Sequence, residues 1–175
     1  MTQDAVLART VVAAASSLEV GLMGSRAPVG RHATDSTGAL FFALGEAAPD
    51  CVHLATPGEP GPVVDAVAHD VSSVAHPGRV RGLVRLTGRA EVVPYPVCQE
   101  LREHLEVSPQ APVARLVPDT VVLEWDVERR TSGVSIDARA YAQAGVDPLA
   151  GWQDEWIAHL DQHHREELRA LVEDV

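Results

Sequence analysis

Between Arg79 and Val93, Val80, Gly82, Val84, Leu86, Gly88, Ala90 and Val92 alternate with Arg79, Arg81, Arg85, Arg89 and Glu91. A period of two sustained over that length specifies a long β-strand with one buried face, because successive strand side chains point to opposite sides. Gly82 and Gly88 inside the run predict a bulge or tight bend, the usual way a strand turns the corner of a small closed sheet. The chain is therefore expected to be mainly β (α+β), a six-stranded antiparallel barrel with peripheral helices.

The rest of the chain supplies partners for that strand. Leu7, Val11, Ala14 and Leu18 recur at helical spacing and predict an opening helix from Asp4 to Ser17, with Thr2 as N-cap. Strands are predicted at 18–23, 29–34, 39–44, 67–74, 120–127 and 132–136. Asp35-Ser36-Thr37-Gly38 and Arg129-Arg130 form hairpin turns. Helices are expected at 46–54 and 97–106, and prolines and glycines between Thr56 and Pro62 forbid regular structure there. In the tail, Ile157, Leu160, His164, Leu168, Leu171 and Val175 define the apolar stripe of one amphipathic helix over 151–175. The expected domains are a barrel over 1–146 and a C-terminal helical segment over 147–175.

At 175 residues the chain has room for one well-buried core. Its formal charge of −11 repels phosphate backbones and argues against nucleic-acid binding. No apolar run approaches the roughly 18 residues of a membrane span. The N-terminus lacks a signal-peptide pattern, so a reducing cytoplasm is expected, with Cys51 and Cys98 read as small core residues. All 14 basic residues are Arg, and a chain without Lys cannot form a lysine Schiff base. The Rossmann, P-loop, nucleophile-elbow, HExxH and EF-hand signatures are absent.

Chemistry is then sought in two clusters. Ser25 to His32 places Arg26, Arg31 and His32 beside a Gly/Pro turn, where two guanidiniums and an imidazole could clamp cofactor carboxylates or phosphate; a charged strand surface explains them equally well. In the tail, Glu155, His159, His163 and Glu167 form an i, i+4 row, readable as a metal-binding face or as a solvated polar face. His164 falls in the apolar stripe, either as a core histidine with a satisfied ring or as an iron ligand facing a cofactor. Arg79, Arg81, Arg85 and Arg89 share one strand face and suit an anionic ligand, a subunit interface or paired carboxylates.

The run Ser16 to Leu44, followed by Asp70 to Glu91 with its Val-Arg-Leu-Thr-Gly-Arg-Ala-Glu strand, resembles the flavin-binding split β-barrel superfamily of pyridoxamine-phosphate oxidases. Asp147-Pro148-Leu149-Ala150 with Glu155 to Leu160 and Asp161 to His164 is similar to the junction in haem-utilisation and haem-oxygenase-like split-barrel proteins, where a small α/β domain follows the barrel. The resemblance implies a Greek-key split barrel, a homodimer and a cofactor cleft between subunits. Two departures accompany it. The chain stops within what would be the second domain's opening helix, as a truncation would leave it, and the basic flavin-phosphate cluster is not evident around Arg31 to Thr34.

The leading expectation is a cytoplasmic haem-binding homodimer that binds neither nucleic acid nor membrane. It would have His163 or His164 on the iron and Arg26, Arg31 and His32 at the cofactor's edge, and haem-degrading oxygenase activity driven by an external reductant is the finer expectation. The alternatives are an FMN-dependent oxidoreductase of the same fold and a cofactor-free binding or regulatory module.

Overall fold

The computed structural model describes residues 2–22, 25–43, 61–71, 80–125, 133–148, 150, 159 and 162–165. Its elements are α1 (Gln3–Ala14), β1 (Ser17–Leu22), β2 (Ser25–Val29), β3 (His32–Thr34), β4 (Leu40–Ala43), β5 (Val63–Val71), β6 (Val80–Val92), α2 (Gln99–Leu105), β7 (Val113–Trp125), β8 (Val134–Ile136) and α3 (Ala138–Gln143). Helix 46–54, Cys51, the loop over 56–60, Arg79 and the Arg129-Arg130 turn lie outside the described residues.

The long alternating segment is β6, and its burial alternates as the pattern requires, with Val84, Leu86 and Ala90 buried. It lies at the centre of an antiparallel sheet in the order β2-β1-β5-β6-β7-β4-β3, and β8 pairs with β7. The β5–β6–β7 meander sits between β1 and β4, which precede it in sequence, and this displacement makes the path a Greek key. Seven strands in continuous order plus β8 replace the expected six. The span 29–34 is not one strand: it divides at Gly30 and Arg31, and Ser25–Val29, expected as a turn, is an edge strand that tolerates Pro28.

That division dictates the shape of the sheet. β2 and β3 stand at opposite ends of the order, yet only Gly30 and Arg31 separate them. Three residue steps span at most about 11 Å of extended chain, little more than two strand spacings of about 4.8 Å. The sheet must therefore curl until its two ends nearly meet, leaving a seam without β2–β3 pairing.

β7 begins seven residues before the predicted 120–127 and runs through Pro118, a residue that donates nothing to a ladder. The structure accommodates it at a bulge: Thr87 pairs with Thr120 and Gly88 with Pro118, leaving Asp119 as the extra residue. Gly88 is required at this point, since a Cβ would run into the Val117 carbonyl.

The concave side of the sheet is filled by Leu18, Leu40, Phe42, Val64, Leu86, Leu116, Val121 and Leu123, with α1 packed against β5, β6 and β3. The buried face of α1 is Ala5, Ala8, Arg9 and Val12 together with Val11. The expected stripe misplaced Ala14, which is exposed where the helix ends. The Asp35–Gly38 turn forms as expected: Asp35 Oδ1 accepts from Thr37 N (2.8 Å) and Ala39 N (3.0 Å), and Gly38 adopts φ +81°. α3 was not foreseen; Asp137 caps it by accepting from Ala140 N at 2.8 Å. Cys98 is exposed at the N-cap of α2, not a core residue. No helix among the described residues is long and apolar enough to cross a membrane.

Candidate functional site

The convex face of β5, β6 and β7 carries the arginine stripe. Each guanidinium is accounted for differently. Arg81 pairs with Asp70 at 2.7 Å and Arg85 with Glu124 at 3.6 Å, so these two charges are neutralised. Arg89 Nη1 donates to the Gly61 carbonyl at 2.8 Å, and no carboxylate among the described residues pairs with it. Register places Arg89 between Val63 of β5 and Val117 of β7. These valines are 58% and 43% exposed. A charge-bearing centre with an apolar flank on each side suits a ligand that is anionic at one edge and apolar over its body.

Arg26, Arg31 and His32, the strand residues expected at a cofactor, each have a partner within the protein. Arg26 pairs with Asp65 and lies 3.9 Å from Glu19, and Gly21 leaves the space in which the Asp65 carboxylate sits. Arg31 pairs with Glu106 at 2.8 Å, both side chains exposed, and so ties the β2–β3 link to the end of α2. His32 is buried, and its Nε2 bonds to the Val12 carbonyl at 2.6 Å. Burial pushes the His32 ring below its ordinary value of 6.5; the Val12 bond opposes this, and nearby His104 adds to it. His104 Nε2 in turn bonds to the His32 carbonyl at 2.9 Å. Thus Arg26 and Arg31 have different carboxylate partners, and His32 braces α1 against β3.

His163 and His164 are exposed. His164 stands at a bend between helical residues, while Ile157, Leu160, Leu168, Leu171 and Val175 of the expected stripe, and Glu155 and Glu167 of the expected row, lie outside the described residues. Both rings lie close to His159, with centroids 4.8 Å apart for His163 and 5.4 Å for His164. No group of three potential ligands gathers about a single point among the described residues.

Two features escaped the sequence reading. Arg89 stood in the recognised stripe, but that no carboxylate among the described residues pairs with it depends on long-range strand pairing. A cleft of about 460 Å³ lined by Tyr95, Pro96, Val97, Arg102, Val107 and Pro109 was not anticipated. Its walls come from α2, through Gln99, Arg102 and Glu103, and from the segments on either side of it, and Arg102 donates to the carbonyls of Ser108 (2.9 Å) and Ala111 (3.2 Å).

No family model and no curated protein matches the chain. Solved structures do. One superposes with a TM-score of 0.60 at 17% identity, covering 81% of this chain and 97% of the other. The heme binding protein from Mycobacterium smegmatis superposes with a TM-score of 0.57 at 21% identity, over 94% of this chain and 70% of that one. The chain has the split β-barrel fold. The FAD binding protein from Mycobacterium smegmatis aligns with a TM-score of 0.44 at 13% identity, over 69% of this chain and 92% of that one. At these identities the likeness is one of fold, and the split barrel's chemistry has to be argued from its own side chains.

Proposed function

We propose that this split barrel is a cytoplasmic haem-binding protein whose cofactor lies on the convex face of β5–β7. The observation that carries the reading is Arg89, a cation that has no carboxylate partner among the described residues and stands between two exposed valines. A haem propionate would pair with the guanidinium while the porphyrin edge covers Val63 and Val117. The heme binding protein of the same fold lends support. Arg26 and Arg31 would serve as further propionate partners by exchanging Asp65 and Glu106 for the ligand, and His32 would hold the strand that carries Arg31. His163 or His164, in the segment 147–175, is the proposed iron ligand. Bound haem would supply the redox chemistry of a haem-degrading oxygenase fed by an external reductant.

One sheet face offers only one wall, whereas a cofactor site encloses most of its ligand. A second copy of the chain would supply the other wall, so the functional unit is proposed to be a homodimer. Arg89 would hold a flavin phosphate by the same chemistry, and FMN belongs in the same test.

The test is a visible-spectrum titration of the purified protein with haemin, and in parallel with FMN. A saturable Soret band is expected, with affinity about tenfold weaker in Arg89→Ala, the equivalent of about 1.4 kcal/mol for one charge-assisted contact. Equal affinity in Arg89→Ala and wild type would remove Arg89 from the site. Binding of FMN alone would replace haem by flavin, and indifference to both would leave a cofactor-free module.

A further inference from the structure

The tail histidines carry a second chemistry that does not depend on haem. An imidazole nitrogen binds zinc or a similar ion at about 2.0–2.1 Å, which puts the ring centroid about 3.2 Å from the metal. Two imidazoles on one ion at an angle of about 90–110° therefore have centroids about 4.5–5.2 Å apart, whereas two on opposite sides lie about 6.4 Å apart. The His159–His163 separation of 4.8 Å falls inside the first range, and the His159–His164 separation of 5.4 Å lies just beyond it. A haem iron accepts imidazoles only on its two opposite faces, so this spacing excludes the pair as joint axial ligands. It suits adjacent positions on a non-haem ion.

The spacing has a local cause. Residues four apart on a helix stand one above the other on the same face, and His159 and His163 both lie in helical turns with exposed side chains. His164, at the bend, also keeps its ring close to His159. Among the described residues no third ligand converges on the same point, so the two imidazoles define the site. Such a site favours copper(II), nickel(II) or zinc(II), which suit imidazole nitrogen, over magnesium or calcium, which prefer oxygen.

We propose that His159 and His163 form a two-imidazole chelate for a divalent first-row transition ion on the surface of the C-terminal segment. The test is titration of the full-length protein with copper(II), followed by calorimetry and electron paramagnetic resonance. One copper per chain showing coupling to two nitrogens is expected, with affinity at least tenfold weaker in His159→Ala and in His163→Ala and unchanged in His104→Ala. Undiminished copper affinity in His159→Ala, or a spectrum without two-nitrogen coupling, would overturn the proposal. Haemin titration separates this from the haem reading: in His159→Ala, weakened copper binding with an intact Soret response supports the chelate and leaves haem untouched, undiminished copper binding overturns only the chelate, and copper binding in wild type without a Soret response overturns only the haem reading.

Discussion

Replacing Tyr141 by Phe is expected to stabilise the protein, although it deletes a polar group from the centre of the fold. Tyr141 in α3 is 1% exposed and Arg9 of α1 is 3% exposed, with the guanidinium carbon 5.3 Å from the ring centroid. Arg9 donates to the carbonyls of Asp35 (2.8 Å) and Ala144 (3.3 Å), but neither its Nη1 nor the Tyr141 hydroxyl makes a hydrogen bond of good geometry among the described residues, although the two groups are near enough for the guanidinium to act on the phenol. Burial pushes the phenol's pKa up; the Arg9 guanidinium partly opposes this, and Asp35 adds a smaller upward push. The group is therefore a neutral hydroxyl held away from water. Leaving such a group unsatisfied costs about 1–3 kcal/mol, whereas the ring, its packing and its cation–π contact survive in Phe. The expected gain is about 1 kcal/mol, or about 2–4 °C in Tm for a domain of this size. Urea denaturation followed by circular dichroism at fixed protein concentration measures it, with an unchanged m-value confirming that the unfolded state is unaffected. If Arg9 Nη1 instead donates to the phenol oxygen, the sign reverses. A loss of 1 kcal/mol or more would therefore refute the reasoning.

Arg9→Met strands the carbonyls of Asp35 and Ala144 and is expected to cost about 3 kcal/mol in the same assay. His32 supplies a pH dependence. Its folded pKa lies below the ordinary 6.5, so its neutral form contributes fully above that value and stability falls as the pH drops from 6.5 through the folded pKa. His32→Gln, which can keep the Val12 bond, should flatten the urea midpoint between pH 7.5 and 5.5; parallel curves for variant and wild type would contradict this. Gly88→Ala drives a Cβ into the Val117 carbonyl and should lower stability by about 1–3 kcal/mol in thermal melts. Asp137→Ala removes the cap of α3 and should cost about 1 kcal/mol by the same measurement.

What could be read in advance followed from how local each signal is. The alternation in β6 and the Asp35–Gly38 turn are set by neighbours in sequence, and both were legible. The opening of β7 was not, because Pro118 is acceptable only at a bulge opposite Gly88, and that pairing joins residues 30 positions apart. Burial of Arg9 was hidden for the same reason: a charged residue reads as surface until α3 and the Asp35 turn bring carbonyls to it. At the candidate site the strand face of Arg85 and Arg89 was correctly grouped. Which arginine lacks a carboxylate among the described residues depended on pairing: Val67 and Val122 stand opposite Arg85 as Val63 and Val117 stand opposite Arg89, but Glu124, two residues along β7 from Val122, comes within 3.6 Å of Arg85. Arg26 and Arg31 were grouped by proximity in sequence, but β2 and β3 carry them toward different partners.

The short step from Val29 to His32 also limits how the molecule can deform. With the two ends of the sheet leashed by Gly30 and Arg31, the barrel's girth has an upper bound set by covalent chain, whatever happens to the side chains inside. Expansion on the seam side is stopped when that leash becomes taut, so any swelling needed to admit a ligand has to occur elsewhere along the circumference. Glycines inserted after Gly30 would loosen the leash without touching the core, turning a fixed girth into an adjustable one.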